Sequence, residues 1–199
     1  MKVLILGGFL GSGKTTALLQ LAHYLVERSQ STQKTKVVIV ENEIGETGID
    51  DKVLRGSGLQ VEDLFSGCAC CTVSGELTSA ASRIRKDFNP DWLIVETTGL
   101  AYPRLIRDNL QAALGLSSRI CILVDASRWK RLLRPMYNLL SGQIVGADVV
   151  LINKTDLVNE ETLAQVEADI AAFDPLPRVM RISAQNRIPA AVWAQVLGE

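Results

Sequence analysis

The segment Gly8-Phe9-Leu10-Gly11-Ser12-Gly13-Lys14-Thr15 satisfies G-x-x-x-x-G-K-[ST] at every fixed position. Glycines at these places let the backbone curl until successive N–H groups face one anion-sized hollow. A helix opening at Lys14 would add the positive end of its dipole. Gly8, Gly11, Ser12 and Gly13 are therefore candidate phosphate contacts. Lys14 has the reach for β- and γ-phosphates, and the Thr15 hydroxyl is a candidate Mg²⁺ ligand.

A second motif, Asn153-Lys154-Thr155-Asp156, follows the apolar run Val149-Val150-Leu151-Ile152. A carboxylate there can accept hydrogen bonds from N1 and N2 of guanine. Adenine lacks both donors, so it would leave Asp156 unpaired, and penalties of that kind discriminate strongly. Asn153 would brace the loop and the Lys154 stem would cover the base. Ser183-Ala184-Gln185 could offer a backbone N–H to the guanine O6. A guanine site also weighs against a phosphoryl-transferring kinase, most of which use ATP.

Acids sit at two further strand ends. Glu96-Thr97-Thr98-Gly99 follows Trp92-Leu93-Ile94-Val95, which places Glu96 to hold Mg²⁺ through water and the Gly99 N–H to sense a γ-phosphate. Glu41-Asn42-Glu43-Ile44-Gly45-Glu46 brings three acids into six residues. Such crowding near a triphosphate needs a cation or an activated water between the charges, unless the loop is simply solvated. Lys14, Glu96 and Glu43 form the candidate catalytic set.

Three of the four cysteines, Cys68, Cys70 and Cys71, form C-x-C-C. Thiolates are soft ligands for Zn²⁺, Cu(I), Co²⁺ or Fe, and three of them leave one tetrahedral position open. A redox pair of Cys68 with Cys71, or plain packing of small residues, are the competing readings. Cys121 lies inside the run Ile120 to Val124 and reads as a buried thiol, and His23 reads as a partly exposed helix residue and not a ligand.

The elements that must position these groups follow from hydrophobic patterning. Near-continuous Val/Ile/Leu runs at 2–6, 36–41, 92–96, 119–124, 148–152 and 178–182 predict strands buried on both faces. Amphipathic stretches at 14–29, 74–88, 103–113, 128–145 (with a break at Pro135), 159–172 and from Pro189 predict helices. The alternation predicts an α/β, three-layer doubly wound, mostly parallel sheet. Residues 42–66 interrupt this rhythm and read as a functional irregular segment.

Composition agrees. In 199 residues, 47% are hydrophobic and 22% charged, with a formal charge of −1. That supports a full core and excludes wholesale disorder. Nothing in the charge balance argues for a nucleic-acid partner, no run is long enough for a membrane span, and the N-terminus does not read as a signal peptide. The expected location is cytoplasmic.

Taken together, the motifs resemble the CobW-type GTPases, grouped with the nickel-insertion GTPases of hydrogenase and urease maturation. The resemblance rests on residues 8–16, 41–46, 67–72, 96–101 and 153–156 and spans essentially the whole chain; its specific part is C-x-C-C preceded by E-N-E-x-G. It implies a P-loop fold, contact of Thr16 with nucleotide, slow hydrolysis of GTP to GDP with Mg²⁺, and transition-metal binding (Zn²⁺, or Co²⁺, Fe²⁺ or Ni²⁺) at Cys68, Cys70 and Cys71. Glu41 and Glu46 are implied as further ligands. A client metalloprotein or corrinoid-pathway protein and a GTP-dependent homodimer are the implied partners. The alternative is a non-catalytic, GTP-controlled binding module with structural zinc.

The chain departs from the family pattern in three ways. It stops at Glu199, where relatives usually continue into a second domain that often carries histidines, so residues 1–199 are expected to form a single domain. Val73-Ser74-Gly75 stands where an arginine is usual, and Tyr102 replaces an acid, so no role is carried to those positions.

Overall fold

The structure, a computed structural model, describes residues 1–31, 36–41, 60–63 and 73–199. Among them, seven parallel strands form one sheet in the order β3-β2-β4-β1-β5-β6-β7. These are β1 (Lys2–Gly7), β2 (Val37–Glu41), β3 (Gln60–Asp63), β4 (Trp92–Glu96), β5 (Ser118–Asp125), β6 (Val149–Asn153) and β7 (Arg178–Arg181). The helices are α1 (Lys14–Ser31), α2 (Val73–Asp87), α3 (Pro103–Leu114), α4 (Trp129–Leu133), α5 (Tyr137–Ile144), α6 (Glu160–Phe173) and α7 (Ala190–Leu197).

Successive strand residues point to opposite faces, and both faces are covered. Val3, Ile5, Leu93, Val95, Ile122, Val124, Val150 and Ile152 pack with α2 to α6. Their neighbours Leu4, Leu6, Ile94, Leu123 and Leu151 pack on the other side with Leu18, Leu21 and Leu25 of α1 and Trp193 of α7. The result is the expected three-layer, doubly wound architecture. Cys121 belongs to the second cluster, and burial pushes its thiol well above the ordinary cysteine range. It stays protonated, and inert as a nucleophile or metal ligand.

The predicted helix over 128–145 is divided at Pro135, between α4 and α5, because proline removes a helical N–H and its ring clashes with the preceding turn. Residues 60–63 form β3, a strand inside the segment expected to be irregular. Its sequence, Gln-Val-Glu-Asp, lacks an apolar run, and among the described residues β3 is the first strand in the sheet order, a place where charge is tolerated.

The topology fixes where chemistry can occur. β1 lies between β4 and β5, so the chain winds outward in both directions from it and leaves a crevice at the carboxyl ends. Register aligns those ends: Leu6 pairs with Glu96, Glu96 with Glu41, Glu41 with Asp63, and Asp125 with Asn153.

Candidate functional site

β1 ends at Gly7, and the phosphate-loop motif turns directly into α1 at Lys14. A Ser12 N–H to Phe9 carbonyl bond of 3.1 Å closes the curl. Gly13 needs its glycine: φ is +98°, and a Cβ there would run into the Asn153 side-chain amide. Lys14 is 4% exposed and its Nζ lies 3.5 Å from the Phe9 carbonyl, folded back over the loop. The Ser12 hydroxyl is buried without a hydrogen-bond partner among the described residues. It stands 3.0 Å from where a Cβ on Gly8 would be, inside the curve of the loop. An orphaned hydroxyl beside a buried cation suits an anionic acceptor that completes the set.

The β4 end meets this loop. Thr15 donates its hydroxyl to Glu96 at 2.9 Å, and Glu96 is only 2% exposed. A carboxylate and a hydroxyl at that distance are hard oxygen donors of the kind Mg²⁺ takes, so the pair fits that ion. Beyond it, Gly99 packs so closely on Leu10 that a Cβ would come 2.5 Å from Leu10 Cγ. Its carbonyl accepts from Gln143 Nε2 at 3.0 Å, and the same amide reaches Ala101 at 3.1 Å. Gln143, buried on α5, thus fixes the turn after β4.

The β6 end is joined to both neighbours by one side chain. Asn153 Nδ2 donates to the Ser12 carbonyl at 2.9 Å, and its Oδ1 accepts from the Ala184 N–H at 2.8 Å. The bracing expected of Asn153 is therefore present. Of the N–H groups in Ser183-Ala184-Gln185, that of Ala184 donates to Asn153 in this structure. The Ser183 hydroxyl of the same loop is buried without a partner among the described residues. Thr155 donates to the Ile182 carbonyl at 3.0 Å, tying the motif to the strand beyond. Asp156 is exposed and has no hydrogen bond or ion pair among the described residues.

Lys154 takes the left-handed conformation, φ +63°, and its Nζ lies 2.7 Å from Asp125 Oδ2. Asp125 closes β5 and also accepts from Arg128 Nε at 2.6 Å and from Ser127 Oγ at 2.6 Å. Burial by itself would raise this carboxyl. The hydrogen bonds from Lys154, Ser127 and Arg128 outweigh burial and hold it below the usual carboxylate range. Two cations on one carboxylate leave a net positive charge beside the phosphate loop.

The geometry gathers Gly8–Thr15, Glu96, Gly99, Asn153, Lys154 and Ser183 at one edge of the sheet. Residues 2–181 match the nucleotide-binding domain of CobW/HypB/UreG. The chain belongs to the CobW/HypB/UreG family. Among curated CobW/HypB/UreG relatives, it is 28% identical over 223 residues to "Zinc-regulated GTPase metalloprotein activator 1" of Dictyostelium discoideum, covering 91% of this chain and 45% of that one. It is 32% identical over 181 residues to "Zinc chaperone YjiA" of Escherichia coli, covering 83% of this chain and 54% of the relative. It thus spans about half the length of the curated relatives it matches. The fold is that of a P-loop domain. A hydrogenase maturation factor HypB from Archaeoglobus fulgidus superposes with a TM-score of 0.67 at 19% identity, over 93% of this chain and 82% of its own. A Zn(II)-bound variant of the YjiA GTPase superposes with a TM-score of 0.69 at 21% identity, over 100% and 62%.

Several residues singled out in the sequence lie outside the described residues: Glu43, Glu46, Cys68, Cys70 and Cys71. Glu41 ends β2, register-paired with Glu96. Among the described residues no cluster of three or more His, Cys, Asp and Glu could hold a metal ion, and no helix is long and apolar enough to cross a membrane. Sequence reasoning missed Asp125, Arg128 and Gln143. Asp125 did carry a signal, as an acid closing an apolar strand beside the phosphate-loop strand. Gln143 carried none, because its role depends on how α5 packs.

Proposed function

We propose that this chain binds GTP and hydrolyses it slowly with Mg²⁺, and that its nucleotide state controls transition-metal binding at Cys68, Cys70 and Cys71 for transfer to a client metalloprotein. Residues 1–199 act as one P-loop domain in this reading. Gly8, Gly11, Ser12, Gly13, Lys14, Thr15 and Thr16 hold the phosphates. Asp156 reads the guanine, with Lys154 under the base and the Ser183 hydroxyl beside it. Thr15 and Glu96 would hold Mg²⁺, which when bound neutralises charge that develops on the phosphates. Lys14, buried and folded over the loop, screens the same charge. Glu43 is the candidate to orient the attacking water. The metal is cargo, and its naming as zinc leans on relatives called zinc chaperones.

One observation supports the coupling above others. β3 ends at Asp63, register-matched through Glu41 to Glu96 at the phosphate edge. The chain carrying the cysteines leaves from that edge and resumes at Val73 in α2. Cys68 lies five positions beyond Asp63, a reach of at most about 18 Å. The cysteines are thus tied by short sequence spans to both flanking elements, Cys68 to the end of β3 and Cys71 to the start of α2. A segment so tethered can be drawn in by a γ-phosphate and released on hydrolysis.

The test is direct. The purified chain should turn over GTP slowly and not ATP, with turnover lost in EDTA. The triple variant Cys68→Ala, Cys70→Ala, Cys71→Ala should lose bound metal in elemental analysis while retaining GDP binding. Turnover that ignores Mg²⁺, or metal retained by the triple variant, would contradict the assignment.

A further inference from the structure

Arg128 bridges the β5 end to the outer side of the phosphate loop. Its Nε is 2.6 Å from Asp125 Oδ2, and its Nη2 donates to the Leu10 carbonyl at 2.5 Å. The anchor is firm because Asp125 is 5% exposed and is itself gripped by Ser127 and Lys154. A planar guanidinium held at one edge presents its other edge in a fixed direction.

The Leu10 carbonyl and the Gly11 N–H are the two ends of one peptide plane, and in a trans peptide they point to opposite sides. A cation that holds the carbonyl outward turns the N–H the other way, into the loop, and polarises it. Among the described residues the Gly11 N–H donates to no backbone carbonyl. The close approach requires glycine: φ at Gly11 is +69°, and a Cβ there would lie 2.9 Å from Arg128 Nη2.

We propose that Arg128 is a positioning residue for nucleotide binding, which by anchoring the Leu10 carbonyl to Asp125 aims the Gly11 N–H at the β-phosphate. This rests on the reading of Gly8–Thr15 as the phosphate site. Backbone donors of such loops serve the α- and β-phosphates, so the effect should be specific to ligands that carry a β-phosphate.

Competition against a fluorescent GDP analogue, with GDP and GMP as unlabelled probes, tests the idea. Arg128→Gln should weaken GDP about tenfold, the size of one charge-assisted hydrogen bond lost. GMP should change by less than about twofold, and Arg128→Lys should recover part of the GDP loss, since lysine can reach only one of the two acceptors. An unchanged GDP affinity in either variant, or parallel losses for GDP and GMP, would overturn the proposal. Should Arg128→Gln fail to fold, Arg128→Lys alone carries the same GDP against GMP comparison. Lys14→Ala separates the two readings: if it binds GDP normally, the phosphate-site reading has failed. If it loses GDP while both Arg128 variants keep it, only the role of Arg128 has failed.

Discussion

Asp156→Asn should exchange the base preference of the site, with guanine nucleotides weakened about a thousandfold and xanthine nucleotides becoming the better ligands. The chemistry is one of matched donors. Guanine presents N1–H and the N2 amino group, and a carboxylate accepts from both. An asparagine amide keeps one acceptor but turns a donor towards N2, so a favourable contact becomes a repulsive one. Losing the charge-assisted contact to N2, at about 2 kcal/mol, and opposing two donors in its place, at about 2 kcal/mol more, account for roughly three orders of magnitude. Xanthine carries an oxygen at that carbon and accepts from the new donor. Asp156 is exposed in the structure with no partner among the described residues, so the substitution should leave folding intact. Titration with GDP and XDP checks the outcome. A variant that still prefers GDP would remove Asp156 as the base reader.

Asn153→Ala should be the most destabilising single change in the site. The side chain is 2% exposed and serves the Ser12 carbonyl at 2.9 Å and the Ala184 N–H at 2.8 Å. Truncation leaves one acceptor and one donor without partners, at about 1–3 kcal/mol each. Together that is about 2–6 kcal/mol, which for a chain of this size corresponds to a melting temperature lower by about 4–24 °C. Asn153→Asp should not rescue it, because a carboxylate can still accept from Ala184 but faces the Ser12 carbonyl with no donor. A thermal melt of both variants decides; a wild-type melting point in either would mean that the phosphate loop and the base loop are not tied through this residue.

Much of this arrangement is legible in the amino-acid sequence alone. The buried strands are readable because both faces of the sheet are covered, so their sequences run apolar without alternation, as in Val149 to Ile152. The two nucleotide motifs can be placed because each depends on local backbone form at a strand end. Pro135 marks its own break. The strand β3 escapes notice because its sequence, Gln-Val-Glu-Asp, carries no apolar run. Arg128 and Gln143 are hidden for a different reason. Each acts across the sheet's crevice, on Leu10 and on Gly99, and such pairings arise from tertiary packing and leave no periodic trace. The bond from the Ala184 N–H to Asn153 is hidden for the same reason: it is a fact of loop proximity.

Zinc affinity, measured by chelator competition on the chain loaded with a non-hydrolysable GTP analogue and again with GDP, tests the coupling most directly. A ligand shifts only an equilibrium whose states it binds differently. Coupling through the cysteine segment predicts dissociation constants differing by about tenfold or more between the two states, within the usual range of coupling free energies. It also predicts that the difference vanishes in the Cys68→Ala, Cys70→Ala, Cys71→Ala variant. Equal zinc affinities in both nucleotide states would contradict it and leave a guanine-nucleotide switch whose zinc is a structural staple.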